Sequence, residues 1–176
     1  MRVYIPVTLA MLQGLIADGL LHPISGTAFA VTPTLREAYA HGDNDELAEV
    51  ALQEAALGSL RLLADEPLAQ RAMGRPQSAS DLPARRAVLV ADVEDATLRP
   101  DLDDAVVRLS GPVRFDQVVC AHVDNAAAES AVSAAVDVID EADLGDEDAE
   151  LVVGDAQDHD LAWYANQELP FLLDLL

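Results

Sequence analysis

The chain opens with an alternation of apolar and polar residues. From Arg2 to Val7 every second residue is Val or Ile, which is the period of a strand that buries one face. Thr8 follows with a hydroxyl that can cap a helix, and leucines near helical spacing extend that helix to about Leu20. The pattern therefore predicts a strand followed by a helix.

The rest of the chain alternates between strand-like and helix-like segments. Further strands are predicted at residues 27–32, 87–93, 105–109 and 118–123, and further helices at residues 33–39, 44–64, 125–141 and 159–176, the last with a break at Pro170. Residues 87–93 are apolar at nearly every position, which is typical of a central parallel strand covered on both faces. We therefore expect the α/β (or α+β) class, with a mixed sheet of about five strands and helices packed on it.

The length of the chain and the positions of its turn-forming residues indicate its domain organisation. A chain of 176 residues can bury a core of its own, and we predict a single domain over residues 1–176. Residues 66–84 are rich in Pro, Gly and Ser, which predicts a mobile loop within that domain.

Residues 141–160 form an acidic segment. Its scattered Leu and Val residues favour packing of this segment against the rest of the domain over disorder. The apolar C-terminus around Trp163 either completes the core or binds a partner groove, and we favour the core.

The composition indicates the cellular compartment in which the protein resides. Hydrophobic residues make up 51% of the chain, and Cys120 is the single cysteine, which is typical of a globular protein in a reducing compartment. No stretch approaches the roughly 20 apolar residues that a membrane span requires. We therefore expect a cytoplasmic protein without membrane contact.

Charge is the most unusual property of the sequence. The net charge is −22, all ten basic residues are Arg, and none of them follows Arg114. Residues 1–114 carry a net charge of −6, and residues 115–176 carry −16. Such a surface repels phosphate backbones, so we expect no direct nucleic-acid binding. The remaining partners are a basic protein or a second copy of the chain, although the acid excess can also serve solubility alone.

One predicted strand and the residue after it carry three side chains of types that can act in catalysis or bind a metal. The sequence has no Gly-rich phosphate loop, dinucleotide fingerprint, nucleophile elbow or paired-His zinc helix, and we predict no cofactor. A strand over residues 118–123 would place Cys120, His122 and Asp124 on one face. A thiol, an imidazole and a carboxylate are the groups of nucleophilic catalysis or soft-metal binding, so these three are the candidate catalytic residues. The alternative is that Cys120 is an inert buried thiol and that Asp124 merely orients His122.

A second cluster lies in the acidic segment. Asp155 and His159 would share a face if this segment is helical. Together with His122 and Asp124 they are the candidate ligands of a divalent ion, provided that the fold brings the two clusters together. The alternative is a solvated acidic helix start, whose carboxylates suit the helix dipole.

Several stretches of the chain carry a resemblance. They are residues 2–9 (RVYIPVTL), 28–33 (AFAVTP), 35–37 (LRE), 119–124 (VCAHVD), 158–164 (DHDLAWY) and 167–170 (QELP). Spread over nearly the whole chain, they resemble an uncharacterised actinobacterial protein family. The resemblance implies a small cytoplasmic protein of unknown function with no established catalytic residues, and a GC-rich source would account for the missing Lys.

Three functions fit these observations. The favoured one is a non-catalytic binding or regulatory protein that acts through self-association or a protein partner, and we lean against an enzyme. One alternative is a small enzyme or divalent-ion-binding protein with a site around His122 and Asp124. The other is an acidic nucleic-acid mimic that blocks a basic cleft.

Overall fold

A computed structural model of the protein describes the backbone of residues 1–72 and 82–176 and the side chains of residues 1–66 and 82–176. In chain order its elements are β1 (Arg2–Val7), α1 (Leu9–Asp18), β2 (Leu20–Leu21), β3 (Thr27–Phe29), α2 (Pro33–Ala38), α3 (Asn44–Ala72), β4 (Ala87–Asp92), β5 (Ala96–Leu98), β6 (Val106–Leu109), β7 (Val113–Arg114), β8 (Val118–Val123), α4 (Glu129–Asp143), α5 (Glu147–Gln157), β9 (Ala162–Ala165) and α6 (Leu169–Asp174). The expected combination of a sheet with packed helices is confirmed.

Two details of the expected sheet are corrected. The main sheet has seven strands in the order β5-β6-β3-β1-β4-β8-β9, where about five were expected, and β2 and β7 form a separate pair. Every pairing is antiparallel, so the sheet is not mixed and β4 is not a parallel strand. β4 does lie at the centre, between β1 and β8. Its apolar sequence reflects burial on both faces, which an antiparallel strand also reaches when helices cover both sides.

Helices cover both faces of this sheet. On one face, the alternate residues Val3, Ile5 and Val7 of β1 are fully buried in a cluster with leucines of α1 and α6. On the other face, the first half of α3 packs on β1, β3 and β4. Helices α4 and α5 pack on each other, and α4 also packs on α3 in a third cluster that includes Leu60 and Val132. The antiparallel pair α4–α5 is thus the outer layer on that side.

The opening strand and helix are confirmed where the sequence predicted them. The Thr8 side chain accepts a hydrogen bond from the Met11 N–H at 3.2 Å and caps α1. Gly19 ends the helix with a φ of 74°, a left-handed conformation that glycine adopts without steric cost.

The chain departs from the expected elements in three other segments. Helix α3 continues to Ala72, so residues 66–72 of the predicted mobile loop are helical, and residues 73–81 lie outside the described residues. Most of the acidic segment 141–160 is helical, in the end of α4 and in α5. The helix expected over residues 159–176 is wrong at β9, because pairing with β8 outweighs local helix preference there.

The apolar C-terminus completes the core only in part. Leu169, Leu172 and Leu173 are buried against the sheet, whereas Phe171 and Leu175 lie on the exposed side of α6. Pro170 lies in the first turn of α6, where its missing N–H costs no helical hydrogen bond. Among the described residues, no helix combines the length and apolar character that crossing a membrane requires.

Candidate functional site

A buried ion pair lies where β4 begins and β8 ends. Ala87 pairs with Val123 in the antiparallel register, so the next residues outward, Arg86 and Asp124, face each other. The side chain of Arg86 is 1% exposed and that of Asp124 is 0% exposed. A charge removed from water to this degree requires a partner of opposite sign and hydrogen bonds to its polar atoms.

The two side chains satisfy each other closely. Asp124 Oδ1 accepts from Arg86 Nη2, and Asp124 Oδ2 accepts from both Nε and the backbone N–H of Arg86, each at 2.8 Å. The Asp124 N–H in turn donates to the Arg86 carbonyl at 3.0 Å. This bidentate geometry is the strongest form of the carboxylate–guanidinium contact.

Arg86 also connects the sheet to the segment after α5. Its Nη2 donates to the backbone carbonyl of His159 at 2.8 Å. Arg86 therefore joins the ends of two strands to the chain that leads from α5 into β9. Because both oxygens of Asp124 are occupied by Arg86, the arrangement favours a structural role for this carboxylate over proton transfer or metal binding.

Cys120 and His122 do share one face of β8, as their spacing predicted. The Sγ of Cys120 lies 4.0 Å from Nε2 of His122. Burial raises the pKa of the Cys120 thiol, an effect partly offset by the neighbouring Trp163 side chain and by Arg2. Burial lowers the pKa of His122, and Glu49 partly offsets that shift. Both shifts favour a neutral thiol beside a neutral imidazole, whereas an activated nucleophile needs a thiolate beside a cation.

The second predicted cluster does not form a helical face. Helix α5 ends at Gln157, so His159 lies beyond it and Asp155 is an exposed residue of its last turn. His159 reaches the Asp124 network through its backbone carbonyl only. Among the side chains described, those of residues 1–66 and 82–176, no group of three or more His, Cys, Asp or Glu could hold a metal ion. The geometry thus lends no support to a divalent-ion site at His122, Asp124, Asp155 and His159.

The acidic hairpin, defined as residues 129–157, carries a large excess of negative charge. It contains α4, the connecting turn and α5, with ten carboxylates and no basic residue. Gly145 turns the chain with a φ of 94°, and the Asp146 N–H bonds back to the Glu141 carbonyl at 3.0 Å. This is the Schellman arrangement, in which glycine supplies the left-handed residue that ends a helix.

Within the described part of the chain, only three of the ten carboxylates accept a hydrogen bond or form an ion pair. Glu129 pairs with Arg85, Asp143 pairs with Arg61, and Asp146 caps α5 through the Ala149 N–H. The other seven are exposed and have no side-chain partner among the described residues, namely Asp137, Asp140, Glu141, Glu147, Asp148, Glu150 and Asp155. They make the exposed surface of this hairpin strongly negative.

Two leucines project from the same hairpin. Leu144, in the turn, is 89% exposed, and Leu151, on α5, is 70% exposed. Leu151 lies opposite the buried side of its helix, with Glu147 four residues before it and Asp155 four residues after it. Residues at this spacing are neighbours on a helix surface, so the apolar side chain is flanked by carboxylates.

Sequence reasoning singled out Asp124 but missed its partner. The available signal was the position of Arg86, directly before an apolar strand, and of Asp124, directly after another. If those strands are taken as antiparallel neighbours, the two residues must face each other. The expectation of a parallel central strand concealed this relation.

The fold and this geometry define an α/β protein with an antiparallel sheet, a buried Arg–Asp pair at the ends of two of its inner strands, and an acidic helical hairpin. The chain belongs to the family of unknown function DUF6912, whose family model matches residues 1–173. The resemblance to a family of unknown function is thereby confirmed, and the actinobacterial origin stays a prediction. No curated protein and no solved structure matches the chain.

Proposed function

We propose that this protein is a non-catalytic cytoplasmic binding protein that engages a basic protein partner through its acidic hairpin. The observation that carries the proposal is the combination of exposed carboxylates with the exposed Leu144 and Leu151 on the same pair of helices. Carboxylates alone can serve solubility. Highly exposed leucines do not serve solubility. Beside seven carboxylates that have no side-chain partner in the described part of the chain, they fit a partner that is both basic and apolar.

The energetics support a mixed contact. Burial of a leucine side chain contributes roughly 1.5 to 3 kcal/mol relative to leaving it in water. The carboxylates around it would raise the association rate of a cationic partner and select against anionic ones. A basic amphipathic helix has both features, because its leucines can cover Leu144 and Leu151 while its lysines meet the acids.

A basic partner fits this surface better than a second copy of the chain. Each copy carries a net charge of −22, and residues 115–176, which contain the hairpin, hold −16 of it. Bringing two such hairpins together would oppose like charges across the contact, which is unfavourable. Self-association through the hairpin is therefore the less favoured form of the proposal.

The test uses a synthetic amphipathic helical peptide of Lys and Leu as the probe. We expect the variant Leu144→Ser/Leu151→Ser to bind it at least about tenfold more weakly, since about 1.4 kcal/mol of lost apolar burial corresponds to that factor. Calorimetry with the full chain measures the affinity. The matched control is Phe171→Ser/Leu175→Ser, which removes similarly exposed apolar side chains from α6 and from the residue that follows it, and should leave binding unchanged.

Other outcomes separate the alternatives. If polylysine binds as tightly as the amphipathic probe, charge alone suffices, which favours the nucleic-acid mimic over the mixed contact. If the two double variants weaken binding equally, the hairpin is not the site. If no variant changes the affinity, the proposal is wrong.

A further inference from the structure

Strand β9 forms one outer edge of the seven-stranded sheet. It has the sequence Ala-Trp-Tyr-Ala and pairs with β8 on one side only. The Ala165 carbonyl accepts the first hydrogen bond of the 3-10 turn over residues 166–168, and no other backbone group on the outer side of β9 bonds to a described residue. An edge strand without charged residues is a template on which another extended segment can pair.

The register shows which backbone groups point outward. The Asp124 N–H donates to the Arg86 carbonyl, so the backbone groups of Asp124 point toward β4. Because the direction alternates along a strand, the N–H and C=O groups of His122 and Cys120 in β8 also point toward β4. Those of Ala121 and Val123 therefore point toward β9. Their partners, Tyr164 and Ala162, point back to β8.

Trp163 and Ala165 consequently turn their N–H and C=O groups away from the sheet. They lie opposite His122 and Cys120, in the pairs that do not exchange backbone hydrogen bonds. The outer edge thus offers two donors, the N–H groups of Trp163 and Ala165, and one acceptor, the Trp163 carbonyl, because the Ala165 carbonyl accepts the first hydrogen bond of the 3-10 turn over residues 166–168. The two donors lie at alternate positions, which is the spacing that an added antiparallel or parallel strand requires.

The side chains around this edge indicate the chemistry of an added strand. Trp163 as a whole is 59% exposed, and an accessible aromatic face attracts a cation. Exposed carboxylates flank the strand, with Asp158 and Asp160 before it and Glu168 after it. An arginine-rich extended segment would find an aromatic surface at the centre and negative charge at both ends.

We propose that the outer edge of β9 binds an extended basic segment of a protein partner as an eighth strand of the sheet. Charge selects this occupant over a second copy of the chain, whose β9 would bring the same flanking acids against its own. Main-chain hydrogen bonds supply much of the affinity in this mode, and alternate side chains supply the specificity. The proposal goes beyond the hairpin and does not rest on it.

Ala165 provides a selective test because its backbone already fits proline. Its φ of −64° and ψ of 155° match the geometry of that residue. Ala165→Pro removes one outward N–H while the hydrogen bonds between β8 and β9 remain. Ala165→Ser keeps the N–H and is the matched control.

The probe is a capped octapeptide of alternating Arg and Val. We expect it to protect the Trp163 and Ala165 amides of the full chain from hydrogen exchange and to leave the amides of β5 unchanged. Ala165→Pro should bind it about fivefold more weakly, the contribution of one main-chain hydrogen bond, while Ala165→Ser binds as the wild type does. Leu144→Ser/Leu151→Ser should also bind it normally, which separates this edge from the hairpin.

Several results would overturn the proposal. They are the absence of protection at the Trp163 and Ala165 amides, equal affinity of Ala165→Pro and Ala165→Ser, or equal binding of a matched Glu–Val octapeptide. Sedimentation of the wild type as a dimer that Ala165→Pro dissociates would assign the edge to a second copy instead. If Ala165→Pro fails to fold, the exchange measurement on the wild type decides alone.

Discussion

The Arg86–Asp124 pair and the acidic hairpin handle charge in opposite ways, although the Arg86 guanidinium binds the segment that directly follows the hairpin. In the pair, each charge is buried and meets its partner at 2.8 Å. In the hairpin, seven carboxylates face water without a cation among the described residues. Burial forces charges to be matched, because an unmatched buried charge costs several kcal/mol, whereas water screens an exposed one. Unmatched charge is therefore informative only at the surface, where it is available to a partner.

The largest expected effect comes from breaking the buried pair. Arg86→Leu leaves the Asp124 carboxylate buried without a cation, and we expect the free energy of unfolding to fall by about 3 to 5 kcal/mol. Urea denaturation measures the loss. The double variant Arg86→Leu/Asp124→Leu should recover most of it, since no charge then remains buried.

The chain offers a matched control for burial. Arg2 and Asp92 form a bidentate pair of the same kind at 3.1 Å, but both side chains are more than half exposed, at 55% and 56%. Arg2→Leu should therefore cost less than about 1 kcal/mol. Similar losses for Arg2→Leu and Arg86→Leu would mean that burial does not distinguish the two pairs.

The next effect has the opposite sign and concerns the unmatched charges of α4. Asp140 and Glu141 lie in the last turn of this helix, where negative charge opposes the helix dipole. We expect Asp140→Asn/Glu141→Gln to raise the free energy of unfolding by about 0.5 to 2 kcal/mol, seen as a higher melting temperature.

Helix α5 supplies the mirror-image control. Glu147 and Asp148 lie in its first turn, where negative charge stabilises the helix. Glu147→Gln/Asp148→Asn removes the same charge and should lower the melting temperature. If both double variants raise the melting temperature, overall repulsion between the carboxylates outweighs the dipole in this hairpin.

The sequence was most informative where local signals act. The alternation of β1 and the hydroxyl of Thr8 placed the first strand and helix, because burial of one face and capping depend on adjacent residues. The period of two also placed Cys120 and His122 together on one face of β8. None of these inferences required knowledge of a distant neighbour.

The missed features depend on contacts between distant segments. β9 is held by β8, and Arg86 meets a carboxylate 38 positions later in the chain. The apolar run of β4 reports that both faces are covered but contains no information on the direction of its neighbours. The exposure of Leu151 likewise follows from how α5 packs on α4, which its local sequence did not reveal.

The smallest expected effect concerns Asp143, a carboxylate in the last turn of α4 that pairs with a cation. Arg61 of α3 binds Asp143 through Nε and Nη2 at 3.0 and 2.9 Å, with the two side chains 46% and 42% exposed. The hydrogen bond from Arg61 lowers the pKa of Asp143 below its ordinary value of 3.8. The resulting stabilisation is therefore complete above that value and is lost as the pH falls through the lower pKa of the folded state.

Because solvent screens this pair, Arg61→Ala should lower the free energy of unfolding by less than about 1 kcal/mol at pH 7. The difference from the wild type in urea denaturation should shrink on acidification below pH of about 3. A difference that stays constant over this range would show that Arg61 stabilises α4 by packing rather than by charge.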